Sequence, residues 1–235
     1  MGKRANRKKT GARDYQSYLL IGGKGQGKST LLIDLVEEYL KSFQNSYCKG
    51  IYPRAFIHDM SSSRAFRHLP TVEQACQQLG LDLEDPLELL TLKDSSGNPV
   101  WKKGALRYVC RKSREIQHMH EMLAAHFRNG MVVFDEWTTY VRANPPDWQI
   151  DIVNNHRNYG LEVFYVCHQI MRVPLFFIRG DMIAKIILFK TGESELEYRQ
   201  FRRYSCAEQL WKAYERVLKA PETDNWVQYH EIIDV

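Results

Sequence analysis

Short, almost uniformly apolar runs recur along the chain, and each breaks into glycine or polar residues before a longer segment begins. The clearest are YLLIG (18–22), the core of RAFIHDM (54–60), MVVF (131–134) and LEVFYVC (161–167). Runs of this length without strict alternation predict buried strands. LLIDLVEEYLKSF follows the first run at helical spacing, and REIQHMHEMLAAHF (114–127) predicts a helix closed by Asn129-Gly130. Ser61, Ser62 and Ser63 begin a turn or helix cap, while residues 71–92 mix helical spacing with breaks at Gly80 and Pro86. SSGNP (95–99) is a turn, ALRYVC a short strand or strand edge, and Pro145-Pro146-Asp147 a helix start. Near the end, Leu210, Trp211, Tyr214, Val217 and Leu218 form a stripe on a helix over 205–220, and WVQYHEIIDV reads as a final strand or docking tail. Alternation of strand and helix predicts an α/β domain over 15–235 with a mostly parallel central sheet flanked by helices.

The first strand runs directly into GGKGQGKST, which satisfies G-x-x-x-x-G-K-[ST] with Gly22, Gly27, Lys28 and Ser29. Gly23 and Gly25 add freedom for the backbone to turn its N–H groups around an oxyanion, at the positive end of the following helix. Residues Gly22, Gly23, Lys24, Gly25, Gln26, Gly27, Lys28, Ser29 and Thr30 are thus the expected cradle of a nucleotide triphosphate. Lys28 is expected to reach the β- and γ-phosphates, and the Ser29 hydroxyl to hold Mg²⁺.

MVVFDEW ends a buried strand in two adjacent carboxylates, at the sheet edge where open α/β folds bind ligands. Asp135 is expected to complete the Mg²⁺ shell, and Glu136 to orient and deprotonate the attacking water. That acid pair separates hydrolases with an additional sheet strand from GTPases and from most nucleotide kinases. In NHRNYGLEVFYVCHQ a basic turn and a glycine precede an apolar strand that ends in His168-Gln169. A glutamine at that tip, Gln169, has the donor and acceptor needed to sense a γ-phosphate. Arg157 lies at the far end of the same strand, so it suits a neighbouring subunit's nucleotide as an arginine finger in trans. Pairing of Arg157 with a surface acid is the alternative.

Charge is unevenly spread. Residues 1–13 hold six basic and no acidic side chains, so a whole-chain net charge of +5 leaves −1 for everything after Arg13. Residues 1–14 read as a flexible basic arm for nucleic acid or an acidic surface, or else as a solvated terminus. WKKGALRYVCRKSR (101–114) interleaves basic residues with Trp101 and Tyr108, as a nucleic-acid track does; a solvated strand and helix face is the alternative. Five scattered cysteines without a C-x-x-C pair point to a reducing cytoplasm rather than to disulfides or zinc. His118, His120 and His126 share one predicted helix, but His118 and His120 point to different faces, which disfavours a metal site there. Apolar runs such as VPLFFI and IILF are interrupted by Arg179, Asp181 and Lys185, so a soluble protein without a membrane span is expected.

Four pieces, GGKGQGKST, FIHDM, VVFDE and RNYGLEVFYVCHQ, together resemble the HerA/FtsK superfamily of DNA-pumping ATPases over about residues 15–191. Within it the chain resembles the genome-packaging ATPases of membrane-containing icosahedral viruses. The last piece, with IRGDMIAKIILFKT after it, also resembles Zot-type phage assembly ATPases, which typically continue into a membrane helix. The resemblance implies ATP and Mg²⁺ as cofactors and a ring, usually a hexamer, that threads double-stranded DNA into a preformed capsid. It implies residence in the host cytoplasm and at the packaging vertex, with capsid or membrane-vertex proteins as partners. By position it carries over Lys28, Ser29, Asp135, Glu136 and Gln169, with Arg157 as finger and Arg142, Arg172 and Arg179 as rivals. A Zot-like export ATPase, a nucleotide or small-molecule kinase and a non-catalytic ATP-binding scaffold remain the alternatives.

Overall fold

Seven strands form a single sheet in the computed structural model, which describes residues 15–42, 52–141, 144–178, 182–193 and 196–235. Along the chain come β1 (Ser17–Ile21), α1 (Lys28–Ser42), β2 (Arg54–His58), α2 (Val72–Gln78), β3 (Gly104–Tyr108) and α3 (Ser113–His126). They are followed by β4 (Gly130–Phe134), α4 (Asp147–Tyr159), β5 (Leu161–Cys167), α5 (Leu175–Ile178), β6 (Lys185–Phe189), α6 (Tyr198–Phe201), α7 (Ala207–Lys219) and β7 (His230–Asp234). The order across the sheet is β3-β2-β4-β5-β1-β6-β7. All neighbours are parallel except β7, which runs antiparallel to β6.

Two aliphatic layers explain why the strands lack a polar face. Leu19, Ile21, Phe56, Val132, Phe134, Val163, Tyr165 and Cys167 point to the side packed by α3, α4 and α7. Their sequence neighbours Leu20, Ala55, Ile57, Met131, Val133, Phe164 and Val166 point to the other side, against Leu32, Ile33, Val36 and Tyr39 of α1. With a side-chain period of two, both parities must be apolar when both faces are covered. Parallel pairing then brings every βα junction of β1, β2, β4 and β5 to one edge of the sheet.

Several expectations change in detail. The second strand ends at His58, so Asp59 and Met60 lie in the turn beyond it. The basic turn before β5 is the last turn of α4, and exposed Arg157 belongs to that helix. Gly160 ends the helix in the left-handed conformation (φ 68°), where a side chain is disfavoured. Trp101 is only 5% exposed: its ring stacks on Phe127 at 5.6 Å and lies beneath the Arg54 guanidinium. It is core, and no base can stack on it. Around it Lys102 pairs with Asp94 at 2.7 Å and Arg107 with buried Asp59 at 3.4 Å, so part of the basic cluster is engaged within the fold. His118 meets Asp85 while His120 is buried against Phe134, on different sides of α3 as expected. Residues 1–14, Arg142 and Arg179 lie outside the described residues. No helix of the described residues is long and apolar enough to cross a membrane.

Candidate nucleotide site

The loop between β1 and α1 is tied down on both sides of its strand. Gly22 N–H donates to the Cys167 carbonyl at 3.1 Å and Gly23 N–H to the Lys190 carbonyl at 2.8 Å. A Cβ on Gly22 would come within 2.5 Å of the Phe189 Cβ, so the loop's first glycine is demanded by the approach of β6. Gly27 has φ 85°, and a Cβ there would lie 2.1 Å from the Trp226 carbonyl oxygen. Gly22 is therefore a packing constraint, and Gly27 is both a packing constraint and a left-handed turn residue.

Lys28, 6% exposed, curls back and donates to the carbonyls of Gly22 (2.7 Å) and Gly23 (2.8 Å). Burial lowers its pKa to about 8, opposed chiefly by the charge of Asp135. Such a lysine already lies at the loop mouth with its ammonium poorly solvated, and an incoming anion relieves that deficit. Asp135 is buried just past β4, its backbone N–H on the His58 carbonyl and its Oδ2 accepting from Ser61 Oγ at 2.7 Å. Ser61 reaches it because Asp59 Oδ1 accepts from Ser63 N–H at 2.9 Å and shapes the turn. Burial pushes the Asp135 carboxyl up to about 6, with Glu136 and Asp59 adding to the effect against the Ser61 hydrogen bond.

Glu136 occupies left-handed backbone (φ 50°, ψ 36°), a conformation that costs a side-chain-bearing residue on the order of 1 kcal/mol or more. The sharp turn carries its carboxylate toward β5, where Oε1 lies 3.3 Å from His168 Nε2. The other ring nitrogen of His168, Nδ1, lies 3.4 Å from Lys28 Nζ and 3.4 Å from the Gly22 carbonyl. His168 thus bridges the acid of β4 and the lysine of the loop. Lys24–Thr30, Ser61, Asp135, Glu136, His168 and Trp226 line one cleft of about 440 Å³. A larger groove of about 570 Å³, between α1, α2 and β3, contains neither the phosphate loop nor the acid pair.

Gln169 is not on the cleft wall. The pleat explains this: Phe164 and Val166 face α1 and the phosphate loop, and one further step of two reaches His168, whereas Gln169 follows Tyr165 and Cys167 to the other side. Gln169 instead opens a short 3-10 turn, Ile170–Arg172, that is clamped from the C-terminal part of the chain. Glu193 accepts from Ile170 N–H (2.6 Å) and Met171 N–H (3.1 Å), and Tyr204 Oη donates to the Ile170 carbonyl at 2.7 Å. Arg203 donates to the carbonyls of Met171 and Val173. Arg172 is exposed on this turn, whereas Arg157 sits at the opposite edge of the sheet, away from the chain's own cleft.

Oxygen donors at Ser29 and Asp135, in one cleft with the phosphate loop, fit a hard divalent cation such as Mg²⁺. The buried carboxyl also predicts a stability effect. Between pH 4 and 6 the folded chain holds a proton on Asp135 that an unfolded carboxyl with pKa 3.8 has lost, so its contribution to stability falls as pH rises through that window. Above about pH 7 the folded state carries the desolvated charge almost in full. Asp135→Asn is therefore expected to raise the unfolding free energy by about 3 kcal/mol at pH 7.5, with the gain shrinking toward pH 4. Denaturant midpoints at the two pH values check this, and an unchanged midpoint at pH 7.5 would count against it.

A phosphate loop after β1, an acid pair after β4 and one extra strand, β5, between them define the P-loop NTPase fold of the additional-strand type. The chain is similar in structure to the genome packaging NTPase B204 from Sulfolobus turreted icosahedral virus 2 in complex with ATP-gammaS. The two share 18% identity, cover 94% and 92% of their lengths and superpose with a TM-score of 0.61. The same viral NTPase with AMPPCP gives 17% identity, 92% and 96% coverage and a TM-score of 0.60. B204, the DNA-packaging ATPase from Sulfolobus Turreted Icosahedral Virus, gives 14%, 92% and 96%, and 0.56. At these identities the likeness establishes the fold. No protein-family model and no curated protein sequence matches the chain.

Proposed function

We propose that the chain hydrolyses ATP to move double-stranded DNA, as a viral genome-packaging motor of ring-forming subunits. The observation that carries hydrolysis is the meeting of Lys28, Asp135, Glu136 and His168 in one cleft with the phosphate loop. In the proposed step Glu136 accepts a proton from water as the water oxygen attacks the γ-phosphorus. The bond from that phosphorus to the bridging oxygen breaks, and ADP leaves with the electron pair. Lys28 exchanges its two carbonyl partners for phosphate oxygens. Ser29 and Asp135 would hold Mg²⁺, which neutralises charge on the phosphates. The hydrogen bond to the γ-phosphate, expected of Gln169 from the chain order, we assign to His168.

A sequence-specific prediction separates those two residues. His168→Ala is expected to lower kcat by about 10²-fold, the scale of a lost transition-state donor, while Gln169→Ala stays within about fivefold of wild type. Steady-state phosphate release from both variants checks this; equal losses would return the role to Gln169.

Cargo, ring and vertex rest on the likeness over more than nine-tenths of both chains to proteins whose names state genome or DNA packaging. The motif resemblance and the basic residues of 1–14 support the same reading. ATPase activity measured with and without double-stranded DNA, beside particle mass in ATP, tests it. Stimulation by DNA and a hexamer-sized particle are expected; a phosphorylated acceptor in place of free phosphate would favour a kinase, and binding without turnover a scaffold. A Zot-like export ATPase remains the second reading on the shared 155–169 pattern.

A further inference from the structure

One wall of the cleft belongs to neither the phosphate loop nor the acid pair. Residues 222–229, between α7 and β7, lie across the loop: Gln228 N–H donates to the Gln26 carbonyl at 3.2 Å, and Val227 packs on the α1-side aliphatic layer. The absent Cβ of Gly27 lets the Trp226 and Val227 backbone approach this closely. The segment is also tied internally. Gln228 Nε2 donates to the carbonyls of Thr223 (2.8 Å) and Asn225 (2.7 Å), and its Oε1 accepts from Thr223 N–H at 2.9 Å. Lys190 pairs with Glu222 at 3.3 Å, and His230 stacks on Phe189 at 4.8 Å.

At the tip of this fastened segment Trp226 is 86% exposed, although Trp101 and Trp137 are buried and Trp148 and Trp211 are half-buried. A large aromatic ring left in water on a well-tied backbone forgoes the burial its area would otherwise give. Its position on the cleft wall, beside Lys24–Thr30, offers a flat apolar face next to a polar phosphate cradle. Nucleotides combine those two chemistries in one molecule.

We infer that Trp226 is the nucleobase platform of the cleft, with the triphosphate in the Gly22–Thr30 loop and the base stacked on the indole. The inference rests on the nucleotide reading of that loop. Base-on-aromatic stacking is tolerant of base identity, so Trp226 contributes affinity for nucleotides as a class.

Calorimetric titration of wild type and Trp226→Ala with MgATP and with Mg²⁺-tripolyphosphate, which has the phosphates but no base, tests it. Trp226→Ala is expected to weaken ATP binding by roughly 5- to 150-fold and to leave tripolyphosphate binding unchanged. Trp226→Phe is expected to retain most of the ATP affinity, and ATP is expected to shield wild-type tryptophan fluorescence from acrylamide. ATP affinity within about twofold of wild type in Trp226→Ala overturns the platform and leaves the phosphate site standing. Equal losses for both ligands also overturn it, since they make Trp226 a prop for the loop. A wild-type chain that binds neither ligand overturns the nucleotide reading along with it.

Discussion

Glu136→Gln is expected to lower ATP turnover by about 10²- to 10⁴-fold while leaving ATP affinity near wild type. The amide keeps the size and the left-handed turn that holds residue 136 at the tip of β4, but it has no lone-pair charge to take a proton from water. Binding, by contrast, is assigned to the loop and Lys28, whose contacts do not involve residue 136 directly. Lys28→Ala is expected to fail earlier, at nucleotide binding, because it removes the buried ammonium at the loop mouth. Separate measurement of ATP affinity and phosphate release distinguishes the two variants. Retained turnover in both would exclude this cleft as the hydrolytic site.

The second large effect is expected from a residue that touches nothing in its own cleft. Arg157→Ala should reduce kcat by about 10³-fold or more, as loss of an arginine finger does, with ATP affinity unchanged. Arg157 is exposed in the last turn of α4, at the entry to β5, while the phosphate loop lies at the exit edge of the same sheet. Any contact with a γ-phosphate must therefore cross to another subunit. Mixing Arg157→Ala with Lys28→Ala supplies the complementary halves: an intact loop from one subunit and an intact arginine from its neighbour. Partial return of turnover at intermediate mixing ratios is expected, and no return at any ratio would end the case for Arg157 acting in trans.

How much of this was legible along the chain differs from element to element. The phosphate loop was legible because its determinants are contiguous: a strand, glycines that admit positive φ, and a helix start with lysine and serine attached. The acid pair was legible for the same reason. His168 and Gln169 were legible only as a pair, since a one-residue difference at a strand end decides which side chain faces α1. Counting the pleat forward from Phe164 and Val166 was the signal available for placing His168, and not Gln169, on the cleft wall. Trp101 illustrates the opposite failure, an aromatic among basic residues that looks like a binding face until Phe127 and Arg54 close over it.

By itself, then, the order of residues determined what is chemically local: buried strands covered on two faces, a loop shaped for phosphate, and two adjacent carboxylates at a strand end. Tertiary structure decided what depends on neighbours distant in sequence. It set His168 between Glu136 and Lys28, clamped the turn after β5 with Glu193, Arg203 and Tyr204, and laid residues 222–229 on the glycines of a loop some two hundred positions earlier. Periodicity carries information over a few residues, the span of one turn or one pleat. Strand order and loop closure are settled by which apolar faces can be covered together, and that is a property of the whole chain.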